Sequence, residues 1–127
     1  MKAGIVAAVA MGGAIGSVAR YFVSQVQSPA WTGFPYGIFL VNVSGGFVMG
    51  VLTELMALKF NVSQDVRAFL TTGIMGGYTT FSTFSLESAL LIQKGAMTTA
   101  TAYVVGSAVL SIVALFCGLW LVRAIYA

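Results

Sequence analysis

Four long apolar segments, each nearly free of charged residues, dominate this sequence. They cover approximately residues 3–26, 34–58, 66–93 and 96–125. A helix needs about 20 mostly apolar residues to cross a bilayer core of about 30 Å, so each segment is long enough to span a membrane. Hydrophobic residues make up 59% of the chain and charged residues only 7%, whereas a soluble domain carries about 25% charged residues. We therefore predict an all-α integral membrane protein, with residues 1–127 forming a single transmembrane domain.

Turn-forming residues separate the four predicted helices. Ser28-Pro29 lies between the first two, and Ser63 or Asp65 is placed to cap the third. Gly95 is placed as the C-cap that ends the third helix. The first segment resembles a signal peptide in composition, but the apolar character continues through the chain, so we interpret it as the first spanning helix. Uncharged stretches this long do not fit the alternating pattern of transmembrane strands.

The basic residues fall near the predicted helix ends. With four helices, one side of the membrane carries Lys2, Lys59, Arg67 and Arg123, and the other carries Arg20 and Lys94. Because Lys and Arg in short loops favour the cytoplasmic side, a four-to-two ratio orients the chain only weakly. The charge distribution therefore allows the chain to insert in both orientations. Six basic residues against three acidic ones are too few for a nucleic-acid surface, so no nucleic-acid partner is predicted.

Polar and small residues in the first two segments fit either packing or function. Gly12 and Gly16 form a GxxxG step, which we interpret as helix packing. Arg20 fits either a side chain that snorkels to the membrane interface or a positive charge that attracts anions to a pore mouth. Asn42 lies near mid-membrane and shares a helical face with the glycines three and four positions further on, so it points to protein. Its amide fits a cross-helix hydrogen bond, which the spacing favours, or a donor to an anion.

The third segment contains TTGIMGGYTTFSTFS at residues 71–85. Paired glycines followed by two threonines are poor helix formers, so we predict a break in the third helix near residues 75–79. Broken backbone at membrane depth needs cover from protein or a water-filled cavity, and its freed carbonyl groups are able to bind a cation. A kink without function is the alternative.

Phenyl rings and hydroxyl groups follow the predicted break. Phe81 and Phe84 share one helical face, and Thr79, Thr83 and Glu87, four residues apart, form another. A phenyl ring has a positive edge that can face an anion, although phenylalanines alone more often pack. Glu87 is an intramembrane carboxylate, which indicates function unless the residue is shallow enough to reach water.

A polar stripe marks the fourth segment. Tyr103, Ser107 and Ser111 recur every four residues on an otherwise apolar helix. Serines in membrane helices often bond to their own backbone or to a neighbouring helix. A stripe of three polar residues that begins with a tyrosine favours the lining of an ion pathway.

Three stretches of the chain resemble the Fluc (CrcB) family of fluoride channels. They are GSVARY at residues 16–21, VNVSGGFVMG at 41–50 and GGYTTFSTFS at 76–85, of which the third is the most specific. The size and the four-helix layout also match, so the resemblance covers essentially the whole chain. It implies a fluoride-selective channel in a prokaryotic cell membrane that exports fluoride passively and protects the cell from fluoride toxicity. It further implies an antiparallel, dual-topology homodimer, embedded in lipid, with two fluoride pathways.

The resemblance also implies roles for particular residues. The implied fluoride pore consists of Asn42, Phe81, Phe84, Ser82, Thr83, Tyr103, Ser107 and Ser111. Glu87 would lie near this polar track, and Arg20 would lie at the vestibule. The main-chain carbonyls of Gly76 and Thr79 would hold a structural Na⁺ at the centre of the dimer.

Other classes of membrane protein fit the sequence less well. A small multidrug antiporter is also a four-helix dimer, but it needs a proton-carrying carboxylate, typically in the first helix, and the first segment has no acid. A non-transporting scaffold subunit explains the glycines but not the segment of hydroxyls and phenyl rings. The chain has no histidine and no visible pair of nucleophile and base, so an enzyme is not predicted. It also lacks a GxxxxGK[ST] loop for ATP coupling.

Overall fold

Helices make up nearly all of the described chain. The computed structural model describes residues 2–26 and 33–126, and the turn predicted at Ser28-Pro29 lies outside them. The elements in chain order are α1 (Ala3–Ser24), α2 (Tyr36–Leu58), α3 (Gln64–Ala68), a π-helical segment (Phe69–Met75), α4 (Gly76–Tyr78), α5 (Phe81–Gln93) and α6 (Met97–Tyr126). The predicted all-α class is confirmed.

Three helices in the described ranges are long and apolar enough to cross a membrane. They are α1, α2 and α6, with 22, 23 and 30 residues. At about 1.5 Å per residue, the shortest is about 33 Å long, which matches a hydrocarbon core of about 30 Å. The third predicted span is instead divided into α3, the π-helical segment, α4 and α5. We refer to residues 64–93 as the third segment.

Large apolar side chains cover the outer faces of the long helices. On α1, Met11 and Phe22 are 64% and 68% exposed, and on α6 Trp120 is 59% exposed. Continuous apolar surface of this kind is rare on soluble monomers and is suited to acyl chains. The lengths of the helices and these outer faces together indicate a multi-pass membrane protein.

Glycines bring α1 into backbone contact with the third segment. Gly12 lies against the backbone of Phe69, and Gly16 lies against that of Ile74. A Cβ atom at either glycine would overlap these backbone atoms, so the packing role predicted for the GxxxG step is confirmed. Because the contacting residues advance together along both segments, α1 and the third segment run in the same direction.

Helices α2 and α6 pack as closely as α1 and the third segment do. Gly46 lies against the carbonyl oxygen of Ser111, and Gly50 lies against that of Leu115. From the other side, Gly118 of α6 makes the same approach to the backbone of α2. These contacts also advance together, so α2 and α6 run parallel and form a pair with little space between their backbones.

Charged groups join the C-terminal ends of α2 and α6. The Nε atom of Arg123 lies 3.3 Å from Oε2 of Glu54. The Nζ atom of Lys59 lies 5.3 Å from the centre of the Tyr126 ring. Glu54 is buried, so the ion pair offsets the desolvation of its carboxylate.

Two predicted helix boundaries are confirmed by their geometry. The Ser63 hydroxyl accepts a hydrogen bond from the N–H of Val66 at 3.2 Å, so Ser63 rather than Asp65 is the N-cap of α3. Gly95 follows α5 with a φ of +77°, a left-handed conformation in which glycine is favoured.

Candidate functional site

Thr79 and Thr80 have extended backbones between α4 and α5. Their φ and ψ angles are −81° and 157° for Thr79 and −150° and 121° for Thr80. The prediction placed a break near residues 75–79, but the paired glycines are helical and the extended residues follow them. Because the chain is extended here, the predicted stripe of Thr79, Thr83 and Glu87 does not exist as one helical face. Only Thr83 and Glu87 share a face, on α5.

The side-chain amide of Asn42 pairs with both backbone polar groups of Thr80. Its Nδ2 atom donates to the carbonyl oxygen of Thr80 at 3.2 Å, and the N–H of Thr80 donates to Oδ1 of Asn42 at 3.0 Å. Asn42 thus points to protein and makes the cross-helix hydrogen bond that its spacing favoured. One of its two amide N–H groups takes no part in this pairing.

The side chain of Thr80 caps α5. Its Oγ1 atom accepts a hydrogen bond from the N–H of Thr83 at 3.2 Å and lies 3.3 Å from Oγ of Ser82. Sequence reasoning did not single out Thr80. The sequence did contain a signal for this cap. Thr80 lies three residues before Thr83, and an N-cap side chain commonly accepts from the N–H three residues later.

Two carbonyl groups lose their helical donors at this point. In an uninterrupted α-helix the N–H of Thr80 would donate to the carbonyl of Gly76. The N–H of Thr83 would likewise donate to the carbonyl of Thr79. Here the two N–H groups donate to the side chains of Asn42 and Thr80 instead. Carbonyl oxygens of unwound membrane helices are suitable ligands for Na⁺, so the carbonyl groups of Gly76 and Thr79 fit the implied ion.

A groove of about 430 Å³ lies between α2, the third segment and α6. Its polar lining comes from Asn42, Thr79, Thr80, Ser107 and Ser111. The remainder of the lining is apolar or glycine, and includes Phe81, Phe84 and Gly76. All of the lining residues are uncharged, so no fixed ammonium or guanidinium group forms part of its wall.

Two hydroxyl groups in the groove lack partners. The Oγ atoms of Ser107 and Ser111 are buried, and neither has a hydrogen-bond partner among the described residues. Tyr103, one turn earlier on the same face of α6, is fully buried. The predicted stripe is therefore a face of α6 that is turned towards protein. A buried polar group without a partner costs about 1–3 kcal/mol, so a polar ligand that reached these hydroxyls would relieve that cost.

Three aromatic rings are in contact beside the groove. The ring centres of Phe81 and Phe84 are 5.7 Å apart, and those of Phe84 and Tyr103 are 5.1 Å apart. Phe81 is 80% exposed, whereas Phe84 is half-buried. Both predicted phenylalanines line the groove, but in this single chain only Phe84 is enclosed by other side chains.

A second cavity of about 300 Å³ is lined by Glu87 and by residues 24–26 and 35–38. The Tyr103 hydroxyl donates to Oε2 of Glu87 at 3.0 Å, while the Tyr103 ring contacts Phe84 of the groove. Tyr103 therefore connects the walls of the two cavities.

Four predicted pathway residues, Tyr103 among them, lie outside both sets of lining residues. Ser82 is exposed at the start of α5, and Thr83 is half-buried and contributes its backbone N–H to the cap. Arg20 is half-buried near the end of α1.

The fold and the groove define the class of protein. The chain is a multi-pass helical membrane protein with an uncharged, partly polar groove beside the extended residues of its third segment. Residues 7–119 match the family described as CrcB-like protein, Camphor Resistance (CrcB), and the chain belongs to this family. The resemblance of its sequence motifs to that family is thereby confirmed.

Similar proteins extend over nearly the whole chain. A protein of Nitrobacter winogradskyi named fluoride-specific ion channel FluC is 48% identical over 127 residues, covering 98% of this chain and 100% of the relative. A protein of the same name from Rhodopseudomonas palustris is 51% identical over 116 residues, covering 91% of this chain and 94% of the relative. One from Caulobacter vibrioides is 50% identical over 124 residues, covering 94% and 95%. All three are named as channels rather than enzymes.

Proposed function

We propose that this chain is a subunit of a fluoride-selective channel, not an enzyme, in a prokaryotic cell membrane. Relatives that are 48% and 51% identical carry the name of such a channel. The observation that carries the proposal is the groove with uncharged walls, where the hydroxyls of Ser107 and Ser111 have no hydrogen-bond partner in the described part of the chain. Passive exit of fluoride down its gradient would protect the cell from fluoride toxicity.

The lining chemistry suits a small, strongly hydrated anion. A fluoride pore must replace tightly held water with closely placed donors, and it must still let the ion leave. Ser107, Ser111 and the remaining N–H of Asn42 supply donors, and the ring edges of Phe81 and Phe84 supply weak positive potential. A fixed ammonium or guanidinium group in the wall would hold the anion too strongly, and the lining has none.

The other implied residues extend this path. Tyr103 and Glu87 would continue the polar track towards the second cavity, with Ser82 and Thr83 at the start of α5. Arg20 would raise the local anion concentration at the vestibule. The hydrogen bond from Tyr103 to Glu87 supports this part of the proposal, because it joins the groove wall to the second cavity.

Two copies in opposite orientations would complete the pathways. Phe81 and Ile112 both line the groove although they are 80% and 60% exposed, so this side of the groove lacks cover in a single chain. A second copy would supply that cover and give a homodimer with two paths. The weak four-to-two distribution of basic residues is compatible with insertion in both orientations.

A sodium ion is proposed at the centre of this dimer. The carbonyls of Gly76 and Thr79, whose helical donors bond elsewhere, would hold it. When bound, the ion supplies a positive charge without a basic side chain and joins the two subunits. Among the described residues no group of three His, Cys, Asp or Glu side chains is placed to hold a metal, so a carbonyl site is the better match.

Ion release from liposomes containing the purified protein tests the proposal. Vesicles loaded with fluoride or with chloride are diluted into ion-free buffer, and the released anion is measured with an ion-selective electrode. We expect rapid release of fluoride and retention of chloride. Equal release of both anions, or release of neither, would reject a fluoride channel.

The same assay tests the role of the phenyl rings. Phe84→Ile keeps an apolar side chain but removes the ring edge, and we expect fluoride release to slow at least about tenfold, equivalent to about 1.4 kcal/mol on the barrier. Phe22→Ile makes the same substitution on the outer face of α1, where Phe22 is 68% exposed, and should conduct normally. Equal rates for the two variants would remove the ring edge from the mechanism.

A further inference from the structure

The backbone of Thr80 has the geometry that a primary amide needs for two hydrogen bonds. At φ −150° and ψ 121°, Thr80 turns its N–H and C=O to the same side, as a residue in a β-strand does. The Asn42 carboxamide occupies that side and bonds both groups, at 3.0 and 3.2 Å. It therefore takes the place that a neighbouring strand would have in a sheet.

This pairing competes with continuation of the helix. The helical acceptor for the Thr80 N–H is the carbonyl of Gly76, four residues earlier. Thr80 is buried, and at membrane depth a backbone group without a partner is costly. Without Asn42, Thr80 would either leave two polar groups unpaired or return its N–H to Gly76. The carboxamide makes the extended conformation the satisfied one.

The consequences reach the groove. Phe81 is the first residue of α5, directly after Thr80, so the direction in which α5 starts depends on the Thr80 backbone. The two amide hydrogens of Asn42 lie in one plane, so using one of them on Thr80 fixes the direction of the other. Asn42 itself lines the groove.

We propose that Asn42 is a positioning residue whose carboxamide holds Thr80 extended, withdraws its N–H from Gly76 and thereby aims Phe81 and Phe84 into the groove. This role is separate from donation to an anion, because it uses both ends of the amide on backbone. Its importance for conduction rests on the proposed fluoride channel, whereas the pairing itself does not.

Nuclear magnetic resonance of the full-length protein in detergent micelles tests the pairing. The measured quantities are the amide exchange rate of Thr80 and its ¹³Cα and ¹³Cβ shifts, which distinguish extended from helical backbone. Asn42→Leu has similar size but neither donor nor acceptor. We expect either exchange at least about tenfold faster, as for loss of ordinary interhelical hydrogen bonds, or a move of the shifts towards helix. Unchanged exchange together with unchanged shifts would overturn the proposal.

Two further variants test the same pairing if Asn42→Leu does not fold. Asn42→Asp retains both an acceptor for the Thr80 N–H and a donor for its carbonyl when the carboxyl group is protonated. At acidic pH Thr80 should therefore keep its extended shifts, and helical shifts there would contradict the proposal. Ser111→Ala is the matched control. It removes a polar group from the same groove without touching Thr80, and Thr80 should exchange as in the wild type.

A backbone substitution separates positioning from anion binding. Replacing the Thr80 amide by an ester removes its N–H while every side chain stays in place. It also weakens the Thr79 carbonyl as an ion ligand, so release is measured in excess sodium. We expect fluoride release from liposomes to fall at least about tenfold. A Thr80 ester that conducts like the wild type would overturn the positioning role. If the wild type itself releases no fluoride, the proposed function fails, while the magnetic resonance result still decides whether Asn42 holds Thr80.

Discussion

At the scale of single residues, Ser107 and Ser111 differ from serines whose hydroxyl groups bond to the protein. Ser88, for comparison, is also a buried serine of the described chain, but its hydroxyl donates to the carbonyl of Phe84 at 2.8 Å. Ser107 and Ser111 have no such partner in the part of the chain that the structure describes. Removing them therefore has a different expected effect on stability from removing an ordinary buried serine.

Ser107→Ala should reduce fluoride release without reducing stability. The substitution removes a buried hydroxyl that makes no hydrogen bond to residues 2–26 or 33–126, so its desolvation cost of about 1–3 kcal/mol disappears. Thermal unfolding in detergent should occur at the same temperature as in the wild type or higher, while liposome release slows. Ser88→Ala is the control and should show the opposite pattern, with lower stability and normal release. A clear loss of stability in Ser107→Ala would mean that the hydroxyl has a structural partner.

Spacing predicted some of these residues and not others. The i, i+4 repeat of Tyr103, Ser107 and Ser111 was visible in the sequence because a helix keeps its periodicity whatever its neighbours are. The pairing of Asn42 with Thr80 was not, because it joins residues 38 positions apart and requires an extended backbone at one of them. Side-chain spacing within one helix carries no information about such a contact.

At the scale of elements, the two glycines of α1 set how closely the third segment approaches. Gly16 lies against the carbonyl of Ile74 and the N–H of Tyr78, so the two backbones leave no room for a side chain. Gly13, three residues earlier, has open space where a Cβ would be added. The chain thus contains its own control for close packing.

Gly16→Ala should destabilise the fold, whereas Gly13→Ala should not. The new Cβ at residue 16 overlaps backbone atoms that cannot rotate away, and overpacking of this kind costs about 1–3 kcal/mol. The measurement is the thermal unfolding temperature of each purified variant in the same detergent. Equal unfolding temperatures for the two variants would contradict the packing described for α1.

Hydropathy located the three long helices α1, α2 and α6 among the described residues, because burial in lipid imposes a minimum length of apolar sequence. The π-helical segment at Phe69–Met75 was not predicted, and the extended residues lie just after the paired glycines rather than at them. Both features depend on which hydrogen-bond partners are within reach. The side chains of Asn42 and Thr80, not the flexibility of the glycines, determine where the helix stops.

At the scale of the whole molecule, the arrangement of charge bears on how the chain inserts. The ends of α2 and α6 carry the ion pair between Glu54 and Arg123, and Lys59 lies over the Tyr126 ring at the same end. The sequence predicted only a weak orientation. The homodimer was implied only by the family resemblance, because cover for the exposed side of the groove would come from another chain.

Dual topology predicts equal labelling of both ends of the molecule. Cys117→Ser removes the natural thiol, and Gln93→Cys or Asn61→Cys then places one thiol at either end without changing the basic residues. With a membrane-impermeant thiol reagent added to intact cells, about half of the copies of each variant should react. A protein of single orientation would instead give nearly complete labelling of one variant and almost none of the other.

The close contact between α2 and α6 has a consequence for the kinetics of transport. Where Gly46 and Gly50 meet the backbone of α6, even an added methyl group would overlap main-chain atoms, so the two helices are held in close backbone contact. A carrier that rocks between inward-facing and outward-facing states needs such a seam to open and close on every cycle. A wall held together in this way is better suited to a pore that stays in one conformation. The transport rate is then set by movement of the ion between neighbouring sites, not by a slower rearrangement of the protein.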